Sequence, residues 1–451
     1  MSAPKVLLVA EIRGLTQLAL PVVAAQLGMM FLGTVDTAMV GHIQANALAA
    51  VALASTFNFA ILILGQGVLH ALDPVVAQAF GAKEYPAVRA AFGRGFVLSA
   101  LLSIPYAAIL WWSEPILTLL RQPPEVVALA APFLRALMPG IPAAFAFVTV
   151  RQTLQAVGVV WPVLVSVVAG NLVNWIGNLA LIHGRYGMPE MGVLGSAWST
   201  TICRWLMLVV LVGCAWVPLR GLWPKWSLRL FEPRPLMRLC AIGIPIGIQI
   251  GLEMWVFTAA ALLIGNMGAR QLAAHQIAIN LASLSFMVPL GVGSAAATRV
   301  GQAIGRQDLP GARRAALVAL WTGGAIMLLA ATMFWVMPRQ LVTLFTADDE
   351  LVAGATTLLG VAAWFQIFDG TQAVGCGILR GAADTRMGAV INFVGYWLLG
   401  LPLGLWLAHR RGMGAAGLWW GLTLGLLVVA TLLVLRIRKR FTGPLGRVQT
   451  E

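Results

Sequence analysis

Long runs of apolar residues, separated by short polar connections, fill almost the whole chain. Each run reaches about 20 residues, the length a helix needs to cross the hydrocarbon of a bilayer. Twelve runs are present, near 14–41, 46–70, 88–111, 127–151, 160–182, 191–217, 236–265, 271–294, 312–336, 351–379, 387–409 and 414–436. They are continuous and do not alternate residue by residue. They therefore predict helices, not the strands of an outer-membrane barrel. The expected fold class is all-α integral membrane, with twelve transmembrane helices in two six-helix lobes.

Composition agrees with this pattern. Of the 451 residues, 60% are hydrophobic and 10% charged, against about 25% charged in soluble domains. The net charge of +14 does not signal nucleic acid, because the bases lie in the connections between apolar runs. Twenty-two of the 30 Lys and Arg fall on one side, among them Lys83, Arg229, Arg306 and Arg440. Seven fall on the other, including Arg121, Arg185 and Arg339, while Arg204 lies inside the sixth run. The positive-inside rule then places both termini in the cytoplasm of a plasma (inner) membrane protein. Lys5, Glu11 and Arg13 precede the first run without a small-residue cleavage site, so that run reads as an uncleaved span. Cys203, Cys214, Cys240 and Cys376 sit in apolar segments without a Cys-x-x-Cys pair and read as small buried hydrophobes.

The chain also repeats itself. "LPVVAAQLGMMFLGTVDTAMVGHIQANALAA" from Leu20 aligns without a gap on "IPIGIQIGLEMWVFTAAALLIGNMGARQLAA" from Ile244, an offset of 244 − 20 = 224. "AQAFGAKEYPAVRAA" (Ala77 to Ala91) aligns on "GQAIGRQDLPGARRA" (Gly301 to Ala315) at the same offset. Six spans therefore repeat as six spans in the same orientation. Parallel repeats about an axis along the membrane normal are a known transporter design. The domains expected are an N-lobe at 1–217, a basic cytoplasmic linker at 218–238 and a C-lobe with a basic tail at 239–451.

Acids at membrane depth are costly and mark functional sites. Asp36 in the first span, Glu253 in the seventh and Asp369 in the tenth are the candidates for cation or proton coupling. Polar residues accompany them at helical spacing. Asn171, Asn174 and Asn178 form one stripe in the fifth span, and the sixth could add Ser196, Ser199, Thr200 or Thr201. In the other half, Gln249 stands four residues before Glu253, Gln276 and Asn280 share a face, and Gln366 and Gln372 flank Asp369. Carboxylate and amide oxygens suit Na⁺, which is possible at Glu253 and Asp369, or a proton relay. A buried carboxylate that takes either a proton or a cation makes the two compete, as antiport requires. Trp255, Phe286 and Phe365 are candidate cleft aromatics for an organic cation. Pro21 and Pro245 occupy matching places in the first and seventh spans and can kink them as gates.

"TVDTAMVGH", Pro21 before it, Glu253, Asp369 and "ILRGAADTR" (Ile378 to Arg386) resemble the multidrug and toxic compound extrusion (MATE) family, on the side of its NorM-like branch. The resemblance runs from about residue 12 to 438. It implies two six-helix bundles facing a cleft, alternating access, and export of cationic or amphipathic drugs in exchange for Na⁺ or H⁺. Carried over, Glu253 and Asp369 match the family's C-lobe acids, and Asp36 the N-lobe acid with Asn174 and Asn178 beside it. DinF-like members carry an aspartate where Asn178 stands here, so this N-lobe has one carboxylate.

Rival classes fit less well. The chain has no Gly-x-x-x-x-Gly-Lys-Ser/Thr phosphate loop for ATP-driven transport. A lipid or polyprenyl-linked precursor flippase, the nearest alternative, would want a basic cleft. The five histidines are scattered and build no catalytic centre. A non-enzymatic carrier is expected, with no cofactor beyond the coupling ion. Its partners would be small organic cations and membrane lipid, with no nucleic acid, and it would act as a monomer because the cleft lies within one chain.

Overall fold

A computed structural model describes residues 3–40, 45–443 and 445–448. Gly41 and His42, which close the first motif, lie outside them. Among the described residues twelve helices are long and apolar enough to cross a membrane. They are α1 (Leu8–Asp36), α2 (Leu48–Gly81), α3 (Tyr85–Trp111), α4 (Pro124–Ala156), α5 (Trp161–Ile182) and α6 (Val193–Cys214), then α7 (Pro233–Gly265), α8 (Ala269–Gly305), α9 (Leu309–Val336), α10 (Asp349–Gly381), α11 (Thr385–Arg410) and α12 (Gly414–Thr442).

Prolines account for the places where these helices depart from a regular ladder. In α2 the helix stops at Leu69 and restarts at Leu72, two residues before Pro74, which has no N–H to give. In α4 a 3₁₀ turn occupies Met138–Gly140, with Pro139 inside it and Pro142 just beyond. In α11, Phe393–Gly400 is π-helical. Pro402, just after it, denies the carbonyl of Leu398 its usual i+4 donor.

Lipid tails are as apolar as leucine, so helices in a membrane associate through close packing and not through a hydrophobic drive. Small residues let the backbones touch. A Cβ on Gly377 of α10 would strike the carbonyl of Gly293 on α8, and one on Gly381 would meet the backbone of Ala297. The 48 glycines of the chain are in part the cost of such contacts.

The chain forms two compact units. One comprises Ala24–Gly247; the other joins Met1–Val23 to Ile248–Gln449. The two cuts differ by 247 − 23 = 224 residues, the offset of the sequence repeat. The opening of α1 therefore packs with the second half of the chain, and the opening of α7 with the first. These units are not the residue sets 1–217 and 239–451 into which the sequence divides.

Packing explains the exchange. Leu15 and Ala19 belong to the core built by α7–α12, and Gly291 on α8 leaves room for Val23. Arg299 on α8 grips Glu11 with two hydrogen bonds, Nε to Oε1 at 2.9 Å and Nη2 to Oε2 at 2.7 Å. Gly14 clears that contact, since a Cβ there would stand 2.9 Å from the guanidinium. In the other unit Gly67 on α2 meets Gly247 on α7, and Gly243 meets the backbone of Val68. Gly67 and Gly291 are themselves 291 − 67 = 224 residues apart. Pro21 and Pro245 each lie two residues before a cut, inside helices that continue through them.

Candidate functional site

Within the Ala24–Gly247 unit, α1, α5 and α6 bring the first acid and its neighbours together. Asn178 Nδ2 donates to Asp36 Oδ1 at 2.6 Å, and Thr200 Oγ1 donates to Oδ2 at 3.2 Å. Asn178 also donates to Asn174 Oδ1 at 3.3 Å, so the two amides and the carboxylate form one network. Asn174 and Asn178 are fully buried. Among the described residues Asn178 Oδ1 takes no donor, which leaves an acceptor beside the acid. The charge of Arg204 on α6 reaches Asp36, but no ion pair closes between them among the described residues. Thr200 is the member of the serine and threonine set on α6 that touches the acid.

Asn171 does not join. Its amide donates to the carbonyls of Gly28 and Val167, both at 2.9 Å, and ties α5 to α1. Asn171 lies seven residues from Asn178, about 10 Å along a helix, so a shared face does not make a shared site.

In the other unit Glu253 on α7 and Asp369 on α10 lie close enough for their charges to act on one another. Gln372 Nε2 donates to Glu253 Oε2 at 3.0 Å. Asp369 is buried, and among the described residues its Oδ1, Gln372 Oε1 and the hydroxyl of Tyr396 have no hydrogen-bond partner. Tyr396 sits in the π-helical stretch of α11, within electrostatic reach of both acids. Burying unpaired polar oxygens is costly. An acid pair ringed by them has the donor set of a hard-cation or proton site.

The other sequence candidates take varied places. Gln249, buried, approaches Gly388 at the start of α11. Gln366 is fully buried but bonds Ser285 on α8, so it fastens helices and does not serve the acids. Gln276 is exposed and Asn280 half-buried, and among the described residues neither bonds an acid. Phe365, expected in a cleft, is packed in the core between Phe257 and Trp419, with ring centroids 5.8 and 5.7 Å away. Trp255 and Phe286 keep part of their surface open.

Sequence reasoning missed Tyr396, and it set aside Asp73, whose place before Pro74 near the end of the second span reads as a helix end. The signal for Tyr396 was a phenol in an apolar span of a chain with only 4 tyrosines. Asp73 stands in the first turn of the second α2 segment, as its position before Pro74 suggested. It is 1% exposed and accepts from Gln152 at 3.2 Å.

Twelve membrane-crossing helices, an internal six-helix repeat and buried acids in both units define a multi-pass membrane protein of transporter type. The sequence pattern of the family described as MatE matches residues 21–180 and again 245–406, starts that are 245 − 21 = 224 residues apart, and the chain belongs to that family. It is similar to the multidrug resistance protein NorM of Burkholderia vietnamiensis, 41% identical over 432 residues, 93% of this chain and 92% of that one. It is also similar to the multidrug resistance protein MdtK of Pectobacterium atrosepticum, 35% identical over 449 residues and 97% of each. The crystal structure of the eukaryotic MATE transporter AtDTX14 superposes with a TM-score of 0.86 at 26% identity, covering 96% of each chain. An outward-facing multidrug resistance MATE transporter superposes at 0.84 and 19% identity, a likeness of fold alone.

Proposed function

We propose that this chain is a secondary active multidrug efflux antiporter, exporting cationic or amphipathic organic compounds in exchange for Na⁺ or H⁺ by alternating access. It acts as a monomer in the plasma (inner) membrane, with both termini cytoplasmic. The observation that carries the reading is the pair of half-buried Glu253 and buried Asp369, beside the oxygens of Gln372 and Tyr396 that have no partner among the described residues. No arginine or lysine closes an ion pair on Asp36, Glu253 or Asp369 among the described residues. The three carboxylates are thus available to a mobile cation or a proton, and what binds one must leave before the other enters.

Each monovalent ion that moves inward gains about 2.3 kcal/mol per 100 mV from the membrane potential. The names of the NorM and MdtK relatives support drug efflux as the work this gradient drives. The flippase alternative is not favoured: Arg204 and Arg380 are the bases within charge reach of Asp36 and Glu253, and neither forms a basic cluster suited to a phosphate. The deciding test uses reconstituted vesicles loaded with a fluorescent organic cation, with a Na⁺ gradient and a pH gradient imposed separately. One of them should drive efflux, and Glu253→Gln and Asp369→Asn should each abolish it. Normal transport by both variants at matched reconstitution would refute the assignment.

A further inference from the structure

Between α6 and α7 the chain runs outside any membrane-crossing helix, through residues 215–232. One side of this segment is anchored. Leu230 is buried in the notch left by Gly93 on α3, where a Cβ would stand 2.8 Å from its Cδ1. Trp223 meets Phe92 edge-on at 6.0 Å, and Arg89 donates to the carbonyl of Gly221 at 2.8 Å.

The other side is largely open, although Trp226 also leans on Phe96 of α3 with ring centroids 6.3 Å apart. Trp226 is 60% exposed, Leu228 89% and Phe231 57%. Lys225, Arg229, Arg234 and Arg238 alternate with them, all exposed, and among the described residues none takes a partner within the protein. Arg234 and Arg238 are four apart at the start of α7, an arrangement of like charges that disfavours the helix unless an anion answers it. The stretch 216–238 holds five bases and a single acid, Glu232. Large exposed apolar side chains that close together mark an interaction surface. This one adjoins the ends of two spans, at the depth where tryptophan and basic residues settle in a bilayer.

We propose that residues 225–238 bind anionic lipid headgroups. Trp226, Leu228 and Phe231 enter the boundary between headgroups and acyl chains, and Lys225, Arg229, Arg234 and Arg238 hold the lipid phosphates. Charge complementarity fixes the choice of lipid, because a neutral bilayer would satisfy the aromatic side and leave the bases unanswered. The surface requires only that the chain crosses a membrane; it does not depend on which solute is carried.

The test is hydrogen exchange on the full chain in lipid nanodiscs of phosphatidylcholine alone or mixed with phosphatidylglycerol. Amides of 225–232 should exchange about fivefold more slowly in the anionic discs, and raised salt should erase most of that difference. Arg229→Gln with Arg234→Gln alters only exposed, unpartnered side chains, so the variant folds, and it should exchange alike in both discs. Equal exchange of the native chain in the two lipids overturns the proposal. So does slowing that survives in the double variant, or slowing produced equally by free glycerol phosphate in neutral discs.

Discussion

Replacing Asn178 by leucine keeps the branched outline of the side chain and removes its amide. The carboxylate of Asp36 then loses the donor at 2.6 Å and retains Thr200 at 3.2 Å. A hydrogen bond to a charged group contributes about 1.5–3 kcal/mol, and about 1.4 kcal/mol is a factor of ten in binding. The ionised form of Asp36 is therefore weakened by about 10–100-fold relative to its neutral form. The consequence has opposite signs for the two candidate coupling ions. Na⁺ binds the ionised acid, so its concentration at half-maximal transport rises by that factor. A proton makes the neutral acid, which does not need the donor, so proton uptake gains what Na⁺ binding loses. The assay is efflux of a fluorescent organic cation from reconstituted vesicles, titrated first with Na⁺ at fixed pH and then with pH in the absence of Na⁺. Half-saturation within twofold of the native chain for both ions would refute the role given to this network.

Two further substitutions test the packing. Glu11→Gln turns an amide toward the guanidinium of Arg299 and breaks a pair whose side chains are 12% and 28% exposed. It should cost about 1–3 kcal/mol, read as a lower Tm in detergent, and an unchanged Tm would count against the pair as a fastening for the start of α1. Gly377→Val drives an isopropyl group into the carbonyl of Gly293 and should cost about 1–3 kcal/mol or more, seen as loss of the monodisperse peak in size-exclusion chromatography. Gly360→Ala, with nothing within 4 Å of its Cβ, is the neutral control; if both variants elute like the native chain, the α8–α10 contact is looser than described.

Much of the fold was legible because lipid leaves the sequence few options. All twelve spans were visible as apolar runs, and the 224-residue offset of the repeat recurs in the cuts between the two units, which the repeat alone did not place within α1 and α7. The acid of α1 and the amides of α5 were legible for a similar reason, since each polar group stood out against an apolar background. What a helical stripe does not encode is depth. Asn171 and Asn178 share a face, yet one meets the backbone of Gly28 and the other Asp36. Periodicity is equally silent on which neighbour a face meets. Phe365 and Gln366 lie beside the acid in sequence and are spent on core packing and on Ser285. Tyr396 depended on a π-helical stretch that no hydrophobic pattern announces.

The reciprocal trade at Val23 and Gly247 has the geometry of a segment swap. Two identical six-helix chains that dimerise by swapping the start of their first helix make this pattern, in register on both sides. Fusing such a pair end to end preserves the swap and adds only a tether. Neither severed half retains all the pieces of a unit, so the two must be made, inserted and folded as one polypeptide or find each other again as fragments.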